Sequence, residues 1–441
     1  LVKVLILILM MVAFGFVWYG YYAARAQVHY YRRGDWVVIL LFGILYYGFC
    51  RSYDAFHISI SPISEIIYSQ TLALIISDFI MYVVIWLLSL YMPNAVPLLI
   101  TFGVQFLISV LWTFLAHQWY FHNFRPGRTA VIYDLREGME SLVGEYGMEK
   151  KFHIEKVLGV EECLAKLSVL DEMDTVFLSG IHSHERNIIL KYCMYQDIQV
   201  YVIPRIGDVI MGGAKKVHMF HLPMLRIDRY RPIPEYTIAK RAFDILFSGI
   251  AIVIASPFML VTAIAIKSDG GPALYKQKRL TKDGKEFNVL KFRSMRVDAE
   301  KDGVARLSTG DKDDRITPVG KVIRKIRFDE LPQLFNILRG DMSIVGPRPE
   351  RPEIARQYEE EMPEFRLRLQ AKAGLTGYAQ VYGKYNTTPY DKLLMDLTYI
   401  GTPSLWEDFK ICLATVKILF MPESTEGVAE GATTAMGGEK H

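Results

Sequence analysis

The stretch Arg327-Phe-Asp-Glu-Leu-Pro-Gln-Leu-Phe-Asn-Ile-Leu-Arg-Gly-Asp-Met-Ser-Ile-Val-Gly-Pro-Arg-Pro-Glu350 opens on adjacent carboxylates and closes on a stiff basic turn. Pro332 suits the start of a helix, where its missing N–H leaves no bond unmade. The spacing of Leu334, Phe335 and Leu338 predicts a short helix after it. Asp329 and Glu330 then stand just before a helix N-terminus, whose partial positive charge favours carboxylates and bound phosphate alike. Taken alone, an Asp-Glu-Leu-Pro string reads first as a surface acidic pair ahead of an ordinary helix. Its meaning depends on the rest of the chain.

That chain has 441 residues, enough for two or three domains, and a formal charge of +4. So small an excess does not point to nucleic acid as a partner. Cys50, Cys163, Cys193 and Cys412 are scattered, with neither metal spacing nor a disulfide framework. The chain starts with Leu, and its first residues are expected not to be a cleavable signal peptide; the true start is expected to lie upstream of it.

Hydrophobic residues make up 51% of the chain and gather near its start. Apolar runs at 3–22, 36–50, 66–91 and 96–117 predict a four-helix transmembrane region over 1–120. The 36–50 run is short for a bilayer and needs its aromatic flanks. Four crossings return the chain to its starting side, which leaves Arg25, Arg32 and Arg33 on the outer side, against the positive-inside tendency. Arg125 and Arg128, after the last run, favour an inner location for the polar remainder of the chain.

From Arg128 short β-rich runs at 129–133, 152–160, 175–178 and 199–203 alternate with helical ones. Such alternation predicts a parallel α/β sheet, here a degenerate Rossmann-like domain over 128–205. The first turn, Tyr133-Asp-Leu-Arg-Glu-Gly138, lacks a glycine-rich phosphate fingerprint, so a spacer or regulatory domain is the expectation. His182 and His184 read as loop histidines. Residues 206–235, rich in Pro, Arg and Met, read as an irregular linker.

A further apolar run extends from Ile245 to Ile266. Ser256-Pro257 interrupts it, and basic residues flank both ends: Lys240 and Arg241 before, Lys267, Lys276, Lys278 and Arg279 after. A spanning helix has one basic end, whereas a helix that enters, bends and leaves on one side has two. A re-entrant helix over 240–267 is the expectation, with a fifth crossing as the alternative. Alternation around Phe287–Phe292 predicts a strand that aims Lys291 and Arg293 to one side. Residues 298–316 read as a charged loop. Residues 319–326 read as a basic amphipathic helix carrying Lys321, Arg324 and Lys325, with Arg327 just after it, and 363–369 as another with Arg366 and Arg368. The glycines of Gly374-Leu-Thr-Gly-Tyr-Ala-Gln-Val-Tyr-Gly383 suit close backbone approach to a ligand. Helices over 391–399 and 405–420 come next, and the Gly/Ala-rich tail, 424–441, reads as disordered.

Taken in order, Lys240-Arg241-…-Phe243-Asp244, Ser256-Pro257, Gln277-Lys-Arg279, Lys291-Phe-Arg-Ser-Met295, Asp329-Glu-Leu-Pro-Gln-Leu-Phe-Asn336, Ser343-Ile-Val-Gly-Pro-Arg-Pro-Glu350 and Gly374–Gly383 closely resemble the bacterial sugar transferases. These are monotopic phosphoglycosyl transferases, and the likeness covers 236–423. Lys384 stands where many members carry arginine. The resemblance implies an α+β catalytic domain with a re-entrant helix. It implies transfer of a sugar-1-phosphate from a UDP-sugar to polyprenyl (undecaprenyl) phosphate, with release of UMP, at the cytoplasmic face of a bacterial inner membrane. Capsule, exopolysaccharide or O-antigen assembly is the implied setting. By the same likeness Asp329 is the nucleophile, and Asp329 and Glu330 hold Mg²⁺. Gln277, Arg279, Lys291, Arg293, Pro347, Arg348, Pro349 and Gln380 fall on the donor side. Lys240, Arg241, Ser256, Pro257, Arg324 and Arg327 fall on the acceptor and membrane side. A homodimer is compatible with the membrane bundle and the spacer domain.

Two other classes stay open from residues alone. One is a membrane-anchored scaffold whose α/β domain binds a nucleotide. The other is an enzyme that transfers the sugar alone and leaves UDP, for which Asp311-Lys-Asp313 supplies the metal-motif pattern. The nucleotide released, UMP, UDP or none, separates the three.

Overall fold

A computed structural model describes residues 2–25, 33–89, 91–136, 138–268, 270–296, 315–383 and 387–419. The Asp311-Lys-Asp313 pattern, most of the 298–316 loop, Arg32, Lys384 and the 424–441 tail lie outside them. Two compact units emerge, Leu1–Ile203 and Pro204–His441.

The first unit begins with helices α1 (Val2–Val17), α2 (Arg33–Ser52), α3 (Ile63–Ser89) and α4 (Val96–Asn123). All four, with α1 prolonged to Arg25 by tighter and wider turns, are long and apolar enough to cross a bilayer. Their contact seams are aromatic: Phe14 of α1 stacks on Phe42 of α2 with ring centroids 4.5 Å apart. Outward faces stay apolar too, with Phe16, Ile44 and Leu107 exposed, as lipid-facing positions should be. This is a membrane protein.

The rest of that unit is a four-stranded sheet of β1 (Gly127–Tyr133), β2 (Phe152–Gly159), β3 (Thr175–Ser179) and β4 (Gln199–Val202), in the order β2-β1-β3-β4. Every pairing is parallel. Helices α5 (Met139–Glu145), α6 (Val160–Ala165) and α7 (Ser183–Tyr195) make the crossovers that parallel strands require. Ala130, Ile132, Val176 and Leu178 bury one face against Cys163, Ile189 and Cys193. After β3, Gly180 takes φ +68°, and a Cβ there would meet the Arg136 nitrogen at 2.8 Å. The loops following β1 and β3 therefore close on each other.

The second unit corrects the expected linker. Residues 206–235 hold helix α8 (Ile206–Gly212) and the hairpin of β5 (Lys215–Met219) and β6 (Leu222–Arg226). Its turn places Phe220 and His221 at positive φ, the pairing a tight two-residue hairpin needs. Helix α9 (Pro234–Lys267) comes next, 34 residues long with Pro257 inside. Pro257 cannot bond the Val253 carbonyl, and the Ser256 hydroxyl donates to that oxygen instead, at 2.8 Å. Only 11% of the most apolar window of α9 is buried. Apolar length and exposure together make it the fifth helix fit for a bilayer.

Beyond α9 come the antiparallel hairpin β7 (Leu274–Leu280) and β8 (Glu286–Phe292), α10 (Pro318–Lys325) and α11 (Gln333–Arg339). After them stand β9 (Ser343–Val345), α12 (Pro352–Glu361), β10 (Gly374–Thr376), α13 (Tyr378–Tyr382), α14 (Pro389–Gly401) and α15 (Leu405–Leu419). Strands β9 and β10 pair in parallel. The expected amphipathic helix at 363–369 is a 3₁₀ segment, Pro363–Gln370, and its Arg368 is buried, so it presents no basic lipid-facing stripe there. Val289, Leu334, Ile337, Met342 and Ala373 form the core that presses α11 onto β8. Truncating a fully buried residue such as Ile337 costs about 2–5 kcal/mol.

Candidate active site

Two carboxylates head the site. Arg327 adopts φ +55°, which ends α10 and turns the chain into the single 3₁₀ turn Phe328–Glu330. Pro332 then caps α11 with φ −61°. Asp329 and Glu330 thus precede the helix, where backbone geometry lets both serve one site. The turn is locked from beneath by Asn336, fully buried on α11. Its Oδ1 accepts from the Leu290 nitrogen and its Nδ2 donates to the Asn288 carbonyl, each at 2.9 Å. A side-chain amide here takes the place of a neighbouring strand along β8.

The two acids live differently. Lys291 Nζ and Arg348 Nη2 both donate to Glu330 Oε1, each at 2.9 Å. Burial alone would raise the Glu330 pKa, but Lys291 and Arg348 outweigh it and hold the group well below the usual glutamate range. Asp329 has no hydrogen-bond or ion-pair partner among the described residues. Burial raises its pKa above the ordinary aspartate value, Lys291 pulls it back and the Glu330 charge raises it again. Arg324 and Arg327 add to the field around the pair. Four basic side chains against two carboxylates leave surplus positive charge, as an anionic substrate requires.

The Pro347-Arg348-Pro349 turn is held by its backbone. Arg279 Nη1 donates to the Pro349 carbonyl at 3.0 Å and Arg368 Nη2 to the Arg348 carbonyl at 2.8 Å. Arg368 in turn is paired with buried Asp396 at 2.7 Å. Crowded glycines seat the turn: a Cβ on Gly377 would lie 2.1 Å from the Gly346 oxygen. The Arg348 side chain, 42% exposed, is the part left for solvent and ligand. Gln380, beside Gly377, has both amide atoms buried and unpartnered among the described residues.

Of the remaining residues singled out from sequence, several face protein. Arg293 and Lys291 do not point into one site. Arg293 is buried and donates to the Pro272 and Ile266 carbonyls, closing the C-terminal end of α9. Arg241 donates to the Ile337 and Leu338 carbonyls at 2.6 and 2.7 Å, at the negative end of α11. Lys240 pairs with Asp408 at 2.9 Å and donates to the Tyr399 hydroxyl. Gln277 accepts from Arg279 at 2.7 Å. Ser256 and Pro257 sit mid-way along α9, among apolar exposed residues. Sequence reasoning passed over Lys392 of α14. Its ammonium shares the field of Glu350, Arg368 and Arg348, and burial lowers its pKa. A lone lysine in an amphipathic helix gave no signal of this.

The donor set suits Mg²⁺. That ion takes one or two carboxylates and completes its shell with water and substrate phosphate. Asp329 offers a carboxylate without a partner among the described residues, and Glu330 keeps Oε2 while both its cations share Oε1.

Comparison with known proteins gives the pattern a family. Residues 235–422 match the model described as bacterial sugar transferase. The chain is 40% identical over 201 residues to the UDP-glucose:undecaprenyl-phosphate glucose-1-phosphate transferase of Caulobacter vibrioides, covering 44% of this chain and 74% of that protein. It is 40% identical over 234 residues to the UDP-N-acetylgalactosamine-undecaprenyl-phosphate N-acetylgalactosaminephosphotransferase of Aeromonas hydrophila, covering 52% of this chain and 54% of that one. The undecaprenyl-phosphate galactose phosphotransferase of Salmonella typhimurium is 38% identical over 236 residues, covering 50% of this chain and 49% of that protein. The chain thus spans about half the length of the latter two. It belongs to the bacterial sugar transferase family.

Proposed function

We propose that this chain transfers a sugar-1-phosphate from a UDP-sugar to polyprenyl phosphate and releases UMP. The observation that carries the reading is the contrast between Glu330, held by two cations, and its neighbour Asp329, unpartnered among the described residues. A carboxylate with a raised pKa and no bonds to break is a competent nucleophile. Its oxygen attacks the phosphorus that bears the sugar, the bond to the bridging oxygen breaks, and UMP leaves with that electron pair. An oxygen of polyprenyl phosphate then attacks the same phosphorus and returns the Asp329 carboxylate. Both steps bring anions together, so their repulsion must be cancelled. Lys291, Arg324, Arg327 and Arg348 supply fixed positive charge for this. Mg²⁺, held by Asp329 and Glu330, would supply further neutralisation at the phosphates.

The acceptor is a lipid whose phosphate lies at the bilayer surface, and α9 suits that requirement. Basic residues at both ends of α9, and a proline whose freed Val253 carbonyl is covered by Ser256, support a helix that enters and leaves on the cytoplasmic face of the bacterial inner membrane. Capsule, exopolysaccharide or O-antigen assembly is the setting this chemistry serves. The named activities of the relatives, which act on undecaprenyl phosphate with glucose, galactose or N-acetylgalactosamine donors, support the reading and leave the sugar open. The test is nucleotide release by the detergent-solubilised protein with Mg²⁺, polyprenyl phosphate and a panel of UDP-sugars. UMP that disappears in Asp329→Asn is the expected result. UDP as the product, or full activity in Asp329→Asn, overturns it.

A further inference from the structure

Phe114, His117, Gln118 and Phe121 recur at i, i+3, i+4 and i+7 along α4, so they share one face of that helix. The face is turned away from the bundle core, which takes Ser109, Trp112, Thr113 and Ala116 instead. Together with Ile63 at the start of α3 and Lys150 from the 3₁₀ turn Met148–Lys150, it lines a groove of about 580 Å³. The His117 and Phe121 rings stand 4.6 Å apart between centroids, and Lys150 lies within electrostatic reach of His117. The sheet of the same unit is tied to this end of the bundle, since Lys151 Nζ donates to Ser59 Oγ, between α2 and α3, at 3.4 Å.

The groove lies where the bilayer ends. On its inner side α4 exposes Leu107, Leu111 and Leu115 to acyl chains. Trp119, Tyr120 and Phe124 then cluster into the aromatic girdle that marks the headgroup level. Phe114 is 53% exposed at the acyl end, and His117, Gln118 and Lys150 stand nearer the headgroups. Neither Asp nor Glu lines the groove among the described residues. The polar atoms of His117, Gln118 and Lys150 have no hydrogen-bond or ion-pair partner there either.

We propose that this groove binds the phosphate headgroup of one anionic phospholipid from the surrounding membrane. Lys150 and Gln118 donate to the phosphate oxygens, while Ile63, Phe114 and Phe121 cover the first carbons of the chains. Basic pockets beside membrane helices hold anionic headgroups in this way. The chemistry selects the occupant. A lone ammonium with further donors and no carboxylate calls for an anion. A soluble anion would leave the apolar walls against water, and a zwitterionic headgroup would bring a second cation toward Lys150. One full positive charge makes a weak site, which a lipid as abundant as the bilayer fills by mass action. That favours bulk phospholipid over a lipid substrate that a reaction consumes. The bound lipid joins α4 to the turn before β2, and so fastens the sheet to the bundle.

The test uses the full chain in detergent, titrated with phosphatidylglycerol or phosphatidylcholine and read by native mass spectrometry. Phosphatidylglycerol should be retained in preference, at one copy. Lys150→Gln should weaken it about fivefold, the scale of one basic residue at a membrane surface. Phe114→Ala should weaken it as well, and both residues are exposed, so the variants keep the fold. Arg51→Gln, exposed in the last turn of α2 and outside the groove, removes the same charge and should change nothing. Unchanged affinity in Lys150→Gln or Phe114→Ala, an equal loss in Arg51→Gln, or equal retention of phosphatidylcholine overturns the proposal. Complete displacement by equimolar polyprenyl phosphate or inorganic phosphate overturns it too, and assigns the groove to a substrate lipid or to a free anion.

Discussion

Lys291 Nζ lies 2.9 Å from Glu330 Oε1, and this contact ties the end of strand β8 to the turn that carries both carboxylates. Lys291 therefore has two tasks: it fixes Glu330 and lends positive charge to Asp329. Lys291→Met removes both while preserving the aliphatic stem. A fall in kcat of about 10²-fold is expected, the usual scale for one electrostatic partner at a reacting centre. Steady-state UMP release at saturating donor measures it.

Asp329 and Glu330 should respond to amide substitution in opposite directions. Glu330→Gln loses its ion pairs and is expected to lower stability by about 2 kcal/mol. That is less than the roughly 3–5 kcal/mol for a fully buried pair, because Arg348 is 42% exposed. Asp329→Asn removes a carboxylate whose charge burial disfavours, so it should raise Tm slightly while, on the proposed mechanism, abolishing the covalent sugar-phosphate adduct. Thermal unfolding and intact-protein mass spectrometry with UDP-sugar read the two effects.

The pH dependence has a definite sign. The Glu330 pKa is depressed on folding, so its stabilisation is complete above the ordinary glutamate range and fades as pH falls toward the depressed value. The Asp329 pKa is raised, so the proposed nucleophilic carboxylate is lost with acid earlier than an ordinary aspartate would be. The acid limb of kcat/KM should therefore lie above the usual aspartate range. It should move further up in Lys291→Met, since Lys291 is the main group pulling it down.

Arg368 and Asp396 are 5% and 1% exposed and bond each other at 2.7 Å, while Arg368 also holds the Arg348 carbonyl. Arg368→Met strands a buried carboxylate and is expected to cost about 3–5 kcal/mol. Adding Asp396→Leu should restore most of the Tm. The donor KM should stay raised, because the tether on the Pro347–Pro349 turn is still missing. Unfolding curves and donor titrations of the two variants separate the roles.

How far the sequence revealed all this depended on the distance over which each residue acts. Pro332 acts on its own neighbours, and it placed Asp329 and Glu330 ahead of α11. Strand and helix runs in 128–205 also announce themselves locally, and the parallel sheet followed from their alternation. Arg241, Arg279, Arg293 and Arg368 act on backbone carbonyls far along the chain, at 337–338, 349, 266–272 and 348. In sequence such an arginine looks the same as one that binds phosphate. The residues at 206–235 misled for a related reason: their hairpin and short helix are too brief for periodicity to show.

Lys240, Arg241 and Asp244 give α9 one more property. Lys240 grips Asp408, Arg241 grips the end of α11, and Asp244 accepts from Ser343 and the Ile344 nitrogen. Three successive anchors within five residues make α9 a rigid post for the catalytic unit. The height of Asp329 relative to the apolar part of α9 is then set to within a side chain's length. For the proposed reaction, an acceptor phosphate drifting in the plane of the bilayer arrives at the right altitude already. Its search is reduced from three dimensions to two.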